Sequence, residues 1–250
     1  VVCLVHGLGE HRGRYKHVAG ALVRAGYALY AYDQRGHGES EGKRGYTPSF
    51  EVLLQDLDQV VRMVHGKNEH TPLYVYGHSL GGNVVANFLL SHQHAFINGG
   101  ILTSPWLWLS KQPPGIQVWV AKQVVKLFPT FSQGHGLKSS DLTHDPVYNK
   151  NYEQDPLNHT RLSARLFLGA YPAGQNAVVE AGKLSIPTLL MHGTADAITD
   201  PKGSTAFAES AGKLVTFKLW EGLYHELHNE TQKAEVIQTI IDWLDAEQES

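Results

Sequence analysis

Short, nearly continuous apolar runs punctuate the chain at Val1–Val5, Tyr27–Tyr32, Leu73–Tyr76, Gly99–Thr103, Ile186–Met191 and Leu214–Leu219. A sheet with one wet face would alternate apolar and polar side chains, so these runs predict strands covered on both faces. Between them the period changes. Phe50, Leu53, Leu54, Leu57, Val60, Val61 and Val64 share one face of a helix, as do Val236, Ile237, Ile240, Ile241 and Leu244. Such alternation predicts an α/β fold, a mostly parallel sheet flanked by helices. It lapses between Trp106 and Gly182, a stretch that carries six prolines from Pro113 to Pro172 and one clear helical segment, Ile116–Phe128. That stretch is expected to be an insertion over the sheet edge. It divides the chain into a first core part, 1–105, a cap, 106–182, and a second core part, 183–250.

The polar residues are not scattered. They follow the strand ends as His6-Gly7-Leu8-Gly9-Glu10, Asp33-Gln34-Arg35-Gly36-His37-Gly38, Gly77-His78-Ser79-Leu80-Gly81, Ser104-Pro105, His192-Gly193-Thr194-Ala195-Asp196 and Glu221-Gly222-Leu223-Tyr224-His225. Open α/β sheets bind their ligands beyond the carboxyl ends of the strands, so these loops mark one edge as the site.

Composition removes several alternatives. A net charge of −3 argues against a nucleic-acid partner, which wants a basic stripe. The single cysteine, Cys3, excludes a disulfide framework and a multi-cysteine metal site. No apolar stretch approaches the roughly 20 residues that span a bilayer. The expected setting is cytoplasmic, with peripheral contact at membranes. Because the chain opens on Val1 without a Met, export through an upstream signal peptide stays open.

Gly77-His78-Ser79-Leu80-Gly81 fits G-x-S-x-G and lies between the run Leu73–Tyr76 and the helical run Leu80–Leu90. A serine on a tight strand-to-helix turn needs small neighbours two positions away on either side. Its hydroxyl becomes a nucleophile only when a base takes its proton. The base is expected to be a histidine oriented by a carboxylate, in the chain order serine, acid, histidine. Asp196 and His225 follow later strands and reach the same edge, with Asp200 and His228 as rivals. Asp200 stands just before Pro201, where a helix N-cap is the simpler role. Backbone N–H groups of Leu80 and of Leu8, in the first glycine-rich loop, are the candidate donors for a developing oxyanion.

With these residues in place, the chain resembles the monoacylglycerol lipases and lysophospholipase-like serine hydrolases of the α/β-hydrolase superfamily. The resemblance runs along nearly the whole chain. It rests on His6-Gly7-Leu8-Gly9-Glu10-His11 with Arg14-Tyr15, on Asp33-Gln34-Arg35-Gly36-His37-Gly38 and on Gly77-His78-Ser79-Leu80-Gly81-Gly82. Tyr152-Glu153-Gln154-Asp155-Pro156-Leu157 and Tyr224-His225-Glu226-Leu227-His228 extend it. It implies an α/β-hydrolase fold of eight strands, the first two of them upstream of Val1, with a helical cap. It implies hydrolysis of monoacylglycerol-like lipid esters through an acyl-serine, with no metal or organic cofactor. Lysophospholipase, carboxylesterase and acyltransferase activities share the same residues and stay open. Glu10 and Arg14 are implied at the glycerol end of the substrate, and His78 and His228 are pocket candidates. Glu226 departs from the pattern, which has an apolar residue there.

An acyl chain would gain about 0.8 kcal/mol for each CH₂ buried in an apolar channel. Trp106, Leu107, Trp108, Leu109, Ile116, Val120, Val124, Leu127 and Phe128 supply material for one, with core packing as the alternative. Within the helical stretch, Trp119 falls with Lys122 and Lys126, opposite the arc of Val120, Ala121 and Val124. A tryptophan beside lysines suits a lipid interface.

Two other chemistries are weaker fits. Gly7-x-Gly9 after the first run, with Asp33 ending the next, suggests a dinucleotide site, but the third glycine is displaced to Gly13 and Glu10 would repel a pyrophosphate. His225-Glu226-Leu227-His228 is one residue short of the zinc motif H-E-x-x-H.

Overall fold

The computed structural model describes residues 1–91 and 95–249. In chain order the elements are β1 (Val2–Val5), α1 (Lys16–Arg24), β2 (Leu29–Tyr32), α2 (Phe50–Lys67), β3 (Leu73–His78), α3 (Leu80–Ser91) and β4 (Ile97–Thr103). There follow α4 (Gly115–Leu127), β5 (Ser132–Gly134), α5 (Pro146–Gln154), β6 (Arg161–Ser163) and α6 (Ala164–Glu180). The chain closes with β7 (Thr188–Gly193), α7 (Pro201–Ala211), β8 (Val215–Trp220) and α8 (Lys233–Glu249).

Among the described residues the main sheet has six strands in the order β2-β1-β3-β4-β7-β8, all parallel. The nearly continuous apolar runs are explained by its burial. β1, β3 and β7 are buried at every position, whereas the edge strands β2 and β8 are only partly covered. Successive side chains leave a strand on opposite faces. Val1, Cys3 and Val5 therefore join α2, α3, α6 and α7 in one core, while Val2 and Leu4 join α1 and α8 in the other. The helical faces read from the sequence point inward: Leu53, Leu54, Leu57, Val61 and Val64 of α2 and Val236, Ile240 and Leu244 of α8 are buried.

Chain order reverses at β1, which is followed by β2 on one side and β3 on the other. The loops after β1 and β3 therefore diverge and leave a crevice, and Leu8 and Ser79 lie in it.

The stretch between β4 and β7 holds more regular structure than its prolines suggest. Pro146 occupies the first turn of α5 behind an N-cap from Asp145, where a missing N–H costs nothing. α6 runs through Pro172, and Ser163 caps its start. β5 and β6 form a separate antiparallel pair. This stretch is tied down to the strand-end loops. His11 Nε2 meets Asp155 at 2.8 Å, the His159 N–H donates to the Gly9 carbonyl at 2.9 Å, and His159 Nε2 donates to the Gly36 carbonyl at 3.0 Å.

Candidate active site

The turn from β3 into α3 puts Ser79 at φ +54°, a left-handed conformation uncommon for a residue with a side chain. The surrounding backbone holds it there: the Ser79 N–H donates to the Thr103 carbonyl at 3.1 Å, and its carbonyl accepts from Asn83 and Trp106 at 3.0 and 2.9 Å. Glycines make the turn compact. A Cβ on Gly77 would strike the Gly81 carbonyl, and one on Gly81 would lie 2.5 Å from the His6 carbonyl oxygen. The two glycines let α3 begin directly against the end of β1, which brings Ser79 beside the Gly7-Leu8 loop.

Asp196 and His225 arrive from the loops after β7 and β8. His225 Nδ1 is 2.7 Å from Asp196 Oδ2, and His225 Nε2 is 2.9 Å from Ser79 Oγ. A carboxylate only accepts, so Nδ1 carries the proton and Nε2 presents its lone pair to the serine hydroxyl. Asp196 is held from all sides. Its Oδ1 accepts the N–H groups of Ile198 and Thr199 at 2.8 and 3.0 Å, and its Oδ2 accepts the Thr199 hydroxyl at 2.9 Å. His192 adds Nε2 at 3.1 Å from Oδ2, while its Nδ1 accepts the Ser204 hydroxyl at 2.7 Å. Neither His192 nor Thr199 was singled out from the sequence as a support for Asp196. Their spacing of four before and three after it is the signal that would have found them.

These partners move the titrations. Burial alone would raise the Asp196 pKa, but the His225 charge and the hydrogen bonds from His192 and His225 outweigh it and hold the carboxyl well below its usual range. Burial would lower His225, yet Asp196 outweighs it and raises the imidazole above its ordinary 6.5. Burial, reinforced by His225, pushes His78 down to about 3. That ring stays neutral 4.9 Å from the His225 ring.

Ser79 and Leu8 both line two spaces of unequal size. One is a cavity of about 640 Å³ under the β4–β7 stretch, walled by Trp106, Leu109, Ile116, Val120, Val124 and Phe167 among others. Not all of the expected channel residues reach it: Leu107 is buried in the core, Trp108 packs against that core, and Leu127 and Phe128 are exposed. The other is a small recess bounded by Glu10, His78, Tyr152, His225 and Glu226 together with Leu137 and Leu142.

Behind the recess lies a buried ionic cluster. Arg14 Nη1 donates to Glu10 Oε2 and to Glu226 Oε1, each at 2.6 Å, and Nη2 donates to Glu226 Oε2 at 2.7 Å. The guanidinium lies 4.8 Å from the centre of the Tyr152 ring. Glu10 Oε1 accepts the Gly7 N–H at 2.6 Å and the Tyr15 hydroxyl at 2.7 Å, so it also braces the loop that carries Leu8. Of the four substrate-contact candidates, Glu10 and His78 face the recess. Arg14 and His228 stand one layer back, Arg14 because two carboxylates claim it and His228 because it stacks on Tyr15 at 4.6 Å. Tyr152 and Glu226 face the recess in their place.

The rival roles resolve in the same geometry. Asp200 caps α7 through the Lys202 N–H at 3.0 Å. Asp33 accepts the N–H groups of Arg12 and Glu39, each at 2.9 Å, and pairs with the Arg12 side chain, so it braces the loops after β1 and β2. The Gly7 N–H that would meet a pyrophosphate meets Glu10 instead. Among the described residues no group of His, Cys, Asp and Glu is gathered to hold a metal ion, and no helix is long and apolar enough to cross a membrane.

The parallel sheet with its serine turn and the Asp196–His225–Ser79 line are those of the α/β-hydrolase class of serine hydrolases. The chain belongs to the Hydrolase_4 family, described as serine aminopeptidase, S33, whose model matches residues 1–232. It is 31% identical over 98% of its length to the monoacylglycerol lipase of Mycolicibacterium smegmatis, of which it covers 87%. It is 33% identical over 97% of its length to an uncharacterized abhydrolase domain-containing protein of Dictyostelium discoideum, of whose length it spans only 26%. The crystal structure of Paleococcus ferrophilus monoacylglycerol lipase superposes with a TM-score of 0.91 at 35% identity, covering 98% of this chain and 94% of that one.

Proposed function

We propose that this protein hydrolyses carboxylic esters of lipids, monoacylglycerols foremost, through an acyl-serine on Ser79. The observation that carries the reading is the position of the Ser79 hydroxyl, bonded to His225 and open to a large cavity walled by α4 side chains on one side and to a small recess that holds Glu10 and Glu226 on the other. An ester with a greasy acyl chain and a hydrophilic alcohol fits that division.

In this reading Ser79 Oγ attacks the acyl carbonyl while its proton passes to His225 Nε2. Asp196 stabilises the imidazolium and keeps the ring in register. The developing oxyanion is met by the N–H of Leu80, which as the first residue of α3 has no partner within its helix. The second donor is the Leu8 N–H, on the loop that Glu10 braces. The proton on Nε2 then goes to the departing alcohol oxygen in the recess. Water repeats the sequence on the acyl-serine, with His225 as base, and the fatty acid leaves.

The stretch 106–182 acts as a cap that closes the acyl cavity. No residue of α4 is buried, and Trp119 is 57% exposed, so this helix is the face offered to a membrane or lipid aggregate.

The test is a panel of glycerol monoesters, lysophospholipids, triglycerides and aminoacyl amides, with wild type and Ser79→Ala, alongside fluorophosphonate labelling. Monoester preference lost in the variant, with labelling confined to Ser79, is the expected result. A clear preference for amides or lysophospholipids, or activity that survives Ser79→Ala, overturns the assignment.

A further inference from the structure

The recess that would receive the alcohol is walled by two carboxylates, Glu10 and Glu226, and no Lys or Arg side chain lines it. Arg14 stands behind them and is shared: it makes one hydrogen bond to Glu10 and two to Glu226. Two carboxylates against one guanidinium leave a net negative charge. Burial alone would raise the Glu226 pKa, but Arg14 outweighs it and holds the carboxyl well below its usual range. His78 and His228 do not neutralise it either, because burial keeps them uncharged, and His225 is neutral in the form that acts as base.

Each carboxylate retains room to accept. Glu10 Oε2 and Glu226 Oε1 each hold one hydrogen bond, both from the same Arg14 Nη1. A carboxylate oxygen takes about two. The free positions lie on the two carboxylates that wall the recess, on either side of Arg14 Nη1. Such a pair suits hydroxyl or ammonium donors and repels a phosphate, which brings only acceptors and negative charge.

Resting on the esterase reading above, we propose that Glu226 is a specificity-determining residue that makes the leaving-group recess anion-excluding. The enzyme then acts on acyl esters of neutral or cationic alcohols and rejects those whose alcohol carries a phosphate. A single net charge about 5 Å from the phosphate, at the effective dielectric of a protein site, discriminates by on the order of 10²-fold. Glu226→Gln keeps the side chain's volume and an acceptor for Arg14 while bringing the cluster to neutrality.

The experiment measures kcat/KM for the octanoyl esters of glycerol, choline and glycerophosphate at neutral pH, with wild type and Glu226→Gln. The trimethylammonium of choline is about as bulky as a phosphate, so size alone cannot produce the expected order. Wild type should cleave the glycerol and choline esters and act on the glycerophosphate ester on the order of 10²-fold more slowly. In Glu226→Gln the ratio of glycerophosphate to glycerol activity should rise by roughly tenfold or more. Equal wild-type rates on glycerol and glycerophosphate esters overturn the proposal, as does an unchanged ratio in a variant that melts normally and labels at Ser79. The wild-type ranking decides by itself should the variant fail to fold. If none of the three esters is cleaved while Ser79 still labels, the esterase reading falls and takes this proposal with it, an outcome distinct from cleavage without discrimination.

Discussion

Replacing Gly193 with alanine should disable the site without touching any of its side chains. Gly193 ends β7 and pairs with Trp220 at the end of β8. The loop leaving β8 folds back across it on the way to His225. A Cβ at Gly193 would lie 2.5 Å from the Tyr224 carbonyl oxygen and nearer still to that of Leu223, where ordinary contact begins at 3.4 Å. Both obstacles are backbone, so no flexible side chain can swing away, and the loop must retreat by about 1 Å. His225 follows Tyr224 directly. A retreat of that size stretches the 2.9 Å contact between His225 Nε2 and Ser79 Oγ beyond hydrogen-bond reach. Misplacement by about 1 Å costs on the order of 10² in rate, about 2.7 kcal/mol of transition-state stabilisation. The strain should also remove about 1–3 kcal/mol of stability, which lowers the melting temperature by several degrees and leaves the chain folded. The assay is kcat/KM on a short soluble ester together with the rate of fluorophosphonate labelling and a thermal melt. Gly66→Ala on α2, where a Cβ meets nothing within 4 Å, is the control and should behave as wild type. A folded Gly193→Ala protein that labels and turns over within about twofold of wild type would refute the reasoning.

The pH profile of kcat/KM should have an acid limb centred above 6.5, because Asp196 raises the His225 pKa and only the neutral imidazole can take the serine proton. Activity is complete above that pKa and is lost as pH falls through it; a limb centred at or below 6.5 would contradict the pairing. Trp119→Ala should weaken association with liposomes by roughly tenfold while sparing hydrolysis of a short soluble ester. Unchanged liposome binding would show that α4 is not the contacting face.

The sheet was legible because both of its faces are covered, which leaves continuous apolar runs as its mark. Strand ends were less so. Tyr27 and Leu214 look like strand residues but precede the ladders, whereas Gly77, His78 and Gly193 extend them, because pairing with Val5, Thr103 and Trp220 continues through residues of low strand preference. α6 was hidden by Pro172 and Gly169, which break the pattern of a helix that tertiary packing nonetheless completes. Within the site, Ser79, Asp196 and His225 could be read from the loops that follow strands, since position in the fold dictates the meeting. Arg14 could not be placed behind Glu10 and Glu226, because that depends on two loops 212 positions apart in the chain. Local pattern carries no information about such a pairing.

The distance along the chain between Ser79 and His225, 146 positions, has a bearing on how the molecule matures. β3 and β8 are not neighbours; β4 and β7 stand between them, so the reactive pair exists only once four strands are in register. Contacts of such long sequence separation form late and slowly. A fragment that ends before β8 lacks the imidazole altogether, and a collapsed chain with its last strand undocked has helices and much of its core but an inert serine. A covalent serine probe applied during refolding therefore counts finished molecules, distinguishing them from compact intermediates that circular dichroism would score as native.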